Sequence, residues 1–142
     1  LPMPDEGDYR AMIDNGTPVK EWFRQLQVKN KDTGEMEDRL ILRVPFLIQD
    51  PSVMARMKRD RVIVSADLWV DLLPDGRLDL ETEGKNMRIH RLRSAVGQNR
   101  KGVTWAPVNL AGAGPLIVHV SKRPNPKGGD DFTEVDRFTA VG

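Results

Sequence analysis

The hydrophobic positions of this chain recur mainly at every second residue, in short runs broken by turn residues. The clearest run is Arg39–Ile48, where Leu40, Leu42, Val44, Phe46 and Ile48 share one face and Arg39, Ile41, Arg43 and Leu47 share the other. Such alternation predicts a half-buried antiparallel strand. Pro45, which cannot donate to a ladder, predicts a bend, a bulge or an edge within it. Val19–Val28 is the expected hairpin partner, joined through the polar segment 29–35, in which Gly34 supplies the turn. Asp8–Asp14, which stops at the turn dipeptide Asn15-Gly16, predicts a first strand. Pro51–Arg59 reads as a connection of one or two helical turns. Arg61–Leu72 sets Val62, Val64, Ala66, Leu68, Val70 and Leu72 against Ile63, Ser65, Asp67, Trp69 and Asp71. Pro74-Asp75-Gly76 then turns the chain into a short return strand, Arg77–Glu81. Pro115–Lys122 and Phe132–Val141 predict the last two strands.

One stretch changes period. Across Lys85–Gly97, Ile89, Leu92 and Val96 fall on one helical stripe, and Gly97 fits the position just past a helix end. Strands, one helix and two more strands predict a mainly β fold. The expected form is an oligonucleotide-binding (OB)-like Greek-key barrel with an extra hairpin at 61–81 and one α-helix near 85–97. A β-sandwich with one helix produces nearly the same pattern. The 142 residues suit a single domain spanning 1–142.

Composition narrows the chemistry. Zero cysteines exclude a disulfide scaffold, a zinc ribbon, a thiol nucleophile and an iron–sulfur site. No run of about 18 apolar residues is present, so no membrane-spanning helix is expected. No charged-then-apolar leader precedes the first strand, and Leu1 is not methionine, so trimmed termini and a cytoplasmic location are the expectation. The net charge of +1 conceals a division along the chain. Residues 1–83 hold 12 bases against 17 acids, whereas residues 84–129 hold nine bases and no acid. An acid-free window of this length predicts an electropositive face aimed at an anion; the competing reading is a solvated face balanced by acids folded beside it.

No catalytic constellation emerges. His90 and His119 lack metal-type spacing, and Gly97–Thr104 begins like a phosphate loop but has Val103 where the lysine should stand. Gly112-Ala113-Gly114 lacks the third glycine of a dinucleotide loop. Asp71, Asp75, Asp79, Glu81 and Glu83 crowd one hairpin, but their spacing matches no calcium loop, and a solvated acidic edge is the simpler reading. Neither an enzyme nor a bound cofactor or metal is expected.

The segment Gly84–Asn99, with Leu68-Trp69-Val70-Asp71-Leu72 before it and Trp105-Ala106-Pro107, Leu110-Ala111-Gly112 and Leu116–Val120 after it, resembles a phage family. Its members, first catalogued as a domain of unknown function, look like phage single-stranded DNA-binding proteins. The likeness extends to Gly7-Asp8-Tyr9 and the closing strand near Val135–Val141, so it covers most of the chain. It implies an OB barrel acting in phage DNA replication or recombination within the host cytoplasm. Its motifs are structural and do not say which residues touch DNA.

Proteins that hold single strands combine a cationic groove with exposed aromatics on which bases stack. Lys122, Arg123 and Lys127, in the loop between the last two strands, are the first candidates for phosphate contact, followed by outward-facing Arg43. Trp22 shares its expected strand face with Lys20 and Arg24, a cation–aromatic mixture, but also with Leu26 and Val28, which argue for core. Trp105 lies beside Arg100 and Lys101, and either role is open to it. Trp69, flanked on its face by Asp67 and Asp71, is expected to pack against a loop or helix. The expected partners are single-stranded DNA and phage or host replication proteins, with no membrane; homo-oligomerisation is open. The competing function is a phage structural or assembly protein whose basic face docks a protein partner.

Overall fold

The computed structural model describes residues 3–142. It is mainly β, an antiparallel six-stranded sheet with two α-helices. The strands are β1 (Gly7–Ile13), β2 (Phe23–Lys29), β3 (Met36–Ile48), β4 (Ile63–Trp69), β5 (Leu116–Arg123) and β6 (Phe132–Ala140). Helix α1 (Pro51–Met57) follows β3, and α2 (Met87–Ala95) lies between β4 and β5. β1 pairs with β3 and β5, β3 with β4, and β5 with β6, while β6 packs beside β4 without a hydrogen-bonded ladder. The sheet therefore curls into a barrel-like ring, β1-β3-β4-β6-β5, with one seam unladdered, and β2 extends it from the outer edge of β3.

Alternation builds this core. Leu42, Val44, Phe46 and Ile48 of β3 and Val64, Ala66 and Leu68 of β4 are buried inside the ring with Leu116, Val118 and Val120 of β5. α2 adds Ile89 and Leu92, both fully buried, and Gly97 follows it with φ 74°, the left-handed conformation glycine adopts without strain. Pro45 stays within β3 at no cost to the β3–β4 ladder. Its carbonyl accepts from the Asp14 N–H on the β1 side, so its missing donor would also have faced β1 rather than β4.

Several expectations are corrected. Val19–Trp22 is a 3-10 turn rather than strand, so the strict face alternation expected there begins only at Phe23. The expected hairpin 61–72/77–81 shrinks to β4 and one isolated bridge, Leu72 to Leu78, because the acids of 71–81 turn to cap local main chain. Asp79 accepts from the Glu81 and Thr82 N–H groups, and Asp75 from that of Arg77. The one or two helical turns expected at Pro51–Arg59 do form, as α1, with Asp50 capping Ser52 and Val53 and Pro51 in the first turn, so a second helix stands beside α2.

The seam between β4 and β6 is held by α2. Arg88 donates to the Asp67 carbonyl of β4 at 3.0 Å and to the Asp136 carbonyl of β6 at 3.3 Å, and its guanidinium lies 5.6 Å over the Phe138 ring. Phe138 in turn stacks on Phe46 at 5.5 Å, inside the ring. One arginine thus satisfies carbonyls that a missing ladder would leave open. Among the described residues no helix is long and apolar enough to cross a membrane.

Candidate nucleic-acid interface

The outer face of β2, β3 and β4 carries the most suggestive arrangement. Register places Arg24 opposite Ile41 and Ile41 opposite Trp69, so the three form one row across the sheet. Directly opposite residues of antiparallel strands point to the same side. Ile41 is buried there although it lies outside the barrel core. Trp69 is 46% exposed, and the Arg39 guanidinium stands 4.9 Å from its ring centroid. A half-exposed indole with a guanidinium held over its ring is the cation–aromatic pairing that single-strand grooves use.

Trp69 corrects the expectation that it would pack against a loop or helix. The objection was charge, since Asp67 shares its face. In the folded chain Asp67 is opposite Arg43, and the two make a bidentate pair at 2.7 and 3.0 Å. That pairing favours the charged guanidinium and raises the Arg43 pKa. The Asp71 carboxylate accepts the Asn86 N–H. The charge of Asp67 is thus paired, whereas the Asp71 partner is a neutral main-chain amide. The sequence signal was present in the parity of β4, which turns Trp69 outward; the mate of Asp67, 24 residues away, was not visible.

The other expected site residues separate. Trp22 is 2% exposed and belongs to the core, because the 3-10 turn rotates it inward; its expected role as a stacking platform is withdrawn. Trp105 is also corrected: 8% exposed, it donates its indole N–H to Gln98 at 2.8 Å and lies under Arg93, 4.4 Å from its ring centroid. Lys20 lines an apolar groove with Phe23 and Leu40, on the side of the sheet opposite Arg24, so the two cations do not share a face. That groove, about 640 Å³, also takes in Pro18, Leu72, Pro107 and Val108. Arg43 faces outward as expected but is engaged by Asp67. Arg100 and Lys101 sit exposed in a turn after α2.

Lys122 and Arg123, expected in the loop between the last two strands, instead end β5, paired with Thr133 and Phe132 of β6. The main-chain N–H of Lys122 donates to Glu6, and Lys127 is exposed in the loop that follows. Arg123 lies 4.9 Å over the ring of Phe132, itself 42% exposed, and pairs with Glu134 at 3.3 Å. Among the described residues, two exposed aromatics thus carry an arginine stack, Trp69 with Arg39 and Phe132 with Arg123. Sequence reasoning assigned neither pair.

The acid-free window does not form the single electropositive face expected of it. Arg88 turns into the seam and Arg93 is buried against Trp105; for both, burial works against the charge and lowers the pKa. Arg91 remains exposed on α2. His90 approaches Arg93 at 3.2 Å, and burial, with the Arg93 charge, lowers its pKa, so near neutral pH its Nδ1 can accept from the guanidinium. Among the described residues no group of three His, Asp or Glu side chains is arranged to hold a metal ion.

A scan against protein-family models and searches of curated proteins and solved structures found no match.

Proposed function

We propose that this protein binds single-stranded DNA without sequence preference, in phage DNA replication or recombination, and that its barrel is an oligonucleotide-binding barrel. The observation that carries the reading is the half-exposed Trp69 ring with the Arg39 guanidinium over it, on a face where Arg43 neutralises Asp67. The barrel assignment is supported by the chain order: β1, β3 and β4 precede α2, and β5 and β6 follow it, as in a five-stranded barrel with its helix between the third and fourth strands. In such a barrel the ligand crosses the second and third strands, here β3 and β4, beside the loop joining the last two. Lys127 belongs to that loop, and the Phe132–Arg123 stack closes the β5–β6 ladder at its base. The resemblance to phage single-stranded DNA-binding proteins points the same way and supplies the phage setting.

The mechanism requires no bond chemistry. Arg24, Arg39, Arg123 and Lys127 neutralise phosphates and release counterions, while Trp69 and Phe132 accept bases on their exposed faces. Titration with an oligothymidine of about 30 bases tests it, because sequence-tolerant binding rests on stacking and charge. Trp22 and Trp105 are buried, so fluorescence quenching on titration reports chiefly on Trp69. The expected result is quenching that weakens sharply between about 50 and 200 mM salt. No quenching, together with no shift of labelled oligonucleotide, would overturn the proposal. The reading as an assembly protein has one observation in its favour, the apolar groove lined by Phe23, Leu40, Leu72 and Val108; it expects discrete protein complexes and no oligonucleotide affinity.

A further inference from the structure

β2 is laddered on one side only. Two hydrogen bonds reveal which of its main-chain groups are free. The Asp14 N–H donates to the Pro45 carbonyl, and the Val70 N–H to the Leu40 carbonyl. Odd-numbered residues of β3 therefore direct their main-chain groups toward β1 and β2, and even-numbered ones toward β4. Through the unbroken β2–β3 register, Arg24, Leu26 and Val28 are the residues of β2 bonded to β3. Phe23, Gln25, Gln27 and Lys29 aim N–H and C=O outward, and none of them bonds the main chain of any other described segment.

Protein edges are ordinarily defended by charged side chains, proline, bulges or brevity, and β2 carries charges only at Arg24 and Lys29, toward its two ends. β2 spans seven residues, and its centre, Gln25–Val28, contains no charge, proline or bulge. Leu26, in the middle, is 37% exposed.

We propose that β2 pairs antiparallel with β2 of a second copy of this chain, about a two-fold axis through Leu26. This register sets Gln25 against Gln27 of the partner subunit and Phe23 against Lys29 of the partner subunit, which are outward-bonding residues on both strands. About eight main-chain hydrogen bonds form, two for each such pair. Leu26 meets its own copy in the non-hydrogen-bonded position, where side chains approach most closely. No like charges oppose each other, because Arg24 faces Val28 of the partner subunit. Centring the axis on Arg24 would oppose two guanidinia, and centring it on Val28 would leave Phe23–Gln25 unpaired. A slip by one residue would match outward-bonding groups with groups already used.

The axis is perpendicular to the sheet, so the outer faces of the two copies join into one surface running from β4 to the partner's β4. Five strand spacings and a four-residue offset put the two Trp69–Arg39 stacks roughly 25–30 Å apart on that surface. That last consequence rests on the proposed function; the pairing rests on the edge alone.

Sedimentation of the full chain without nucleic acid tests it, at about 100 μM because interfaces under about 1,200 Å² are weak. The wild type should approach twice the 16.0 kDa of one chain. Leu26→Glu and Leu26→Lys should each associate at least about tenfold more weakly, since each sets like charges opposite one another. An equimolar mixture of the two should regain the dimer, an outcome that requires residue 26 to meet itself. Gln25→Pro should be monomeric with an unchanged circular dichroism spectrum, because its N–H does not serve the β2–β3 ladder. A wild type that stays monomeric, or a dimer indifferent to all three substitutions, would overturn the pairing. Oligonucleotide titration is read separately: dimers that bind no strand leave the pairing standing and remove the proposed function, and monomers that bind one do the reverse.

Discussion

Trp69 owes its availability to its neighbours. The indole lies beside an acid, and only the bidentate Arg43–Asp67 pair removes the repulsion a phosphate would meet there. Trp69→Ala should weaken oligothymidine binding by about 1–3 kcal/mol, or roughly 5- to 150-fold by fluorescence anisotropy, with an unchanged melting temperature. Arg43→Ala should also weaken binding, and Asp67→Ala added to it should recover part of the loss, because the harm lies in the released carboxylate. Full additivity of the two would show that Asp67 is not felt at the site. Replacing Lys122, Arg123 and Lys127 together should flatten the logarithmic salt dependence by up to about 2, at about 0.7 for each lost single-strand phosphate contact. An unchanged slope would remove the end of β5 and the loop after it from the interface.

At the scale of an element, α2 is the part of the chain whose role is least like its composition. It lies in the acid-free window that predicts an electropositive face, but Arg88 clasps β4 to β6 and Arg93 covers Trp105. Arg88→Ala should therefore cost stability, on the order of 1.5–3 kcal/mol for lost charged hydrogen bonds, read by urea denaturation. Arg91→Ala, on the exposed side of the same helix, should stay within about 0.5 kcal/mol of wild type. Equal effects would mean that the seam does not depend on the Arg88 bonds. The helix itself was legible, since Ile89, Leu92 and Gly97 are local signals. The destination of Arg88 was not, because its acceptors are carbonyls 21 and 48 residues away.

For the whole molecule, acid should be a sharper threat than mild base. The Asp50, Asp75 and Asp79 carboxyls are all held below the ordinary range. Ser52 bonds Asp50, the Arg77 N–H bonds Asp75 and the Thr82 N–H bonds Asp79. A carboxyl with a depressed native pKa binds fewer protons folded than unfolded. Its contribution is complete above the unfolded value, about 3.9, and is lost as pH falls through the native value. The melting temperature should therefore be flat in this respect from neutral pH to about pH 5 and fall below about pH 4. Asp79→Asn should blunt that fall, and an unaltered curve would show that the 79–82 turn does not participate.

The strands, α2 and nearly all of the core were written in the sequence, because burying one face of a strand imposes period two and burying one stripe of a helix imposes a spacing of three and four. Trp22 shows the limit of that reasoning: its strand face left surface and core both open, and one short 3-10 turn shifts the phase and puts the tryptophan in the core. What only the tertiary structure decided is which charges meet. Arg43 finds Asp67, Arg39 finds Trp69 and Arg88 finds two carbonyls because register and ring closure bring together residues that no local pattern relates. Periodicity reports whether a side chain turns inward or outward, whereas the character of an outward face depends on what stands opposite, and that is settled when distant strands pair.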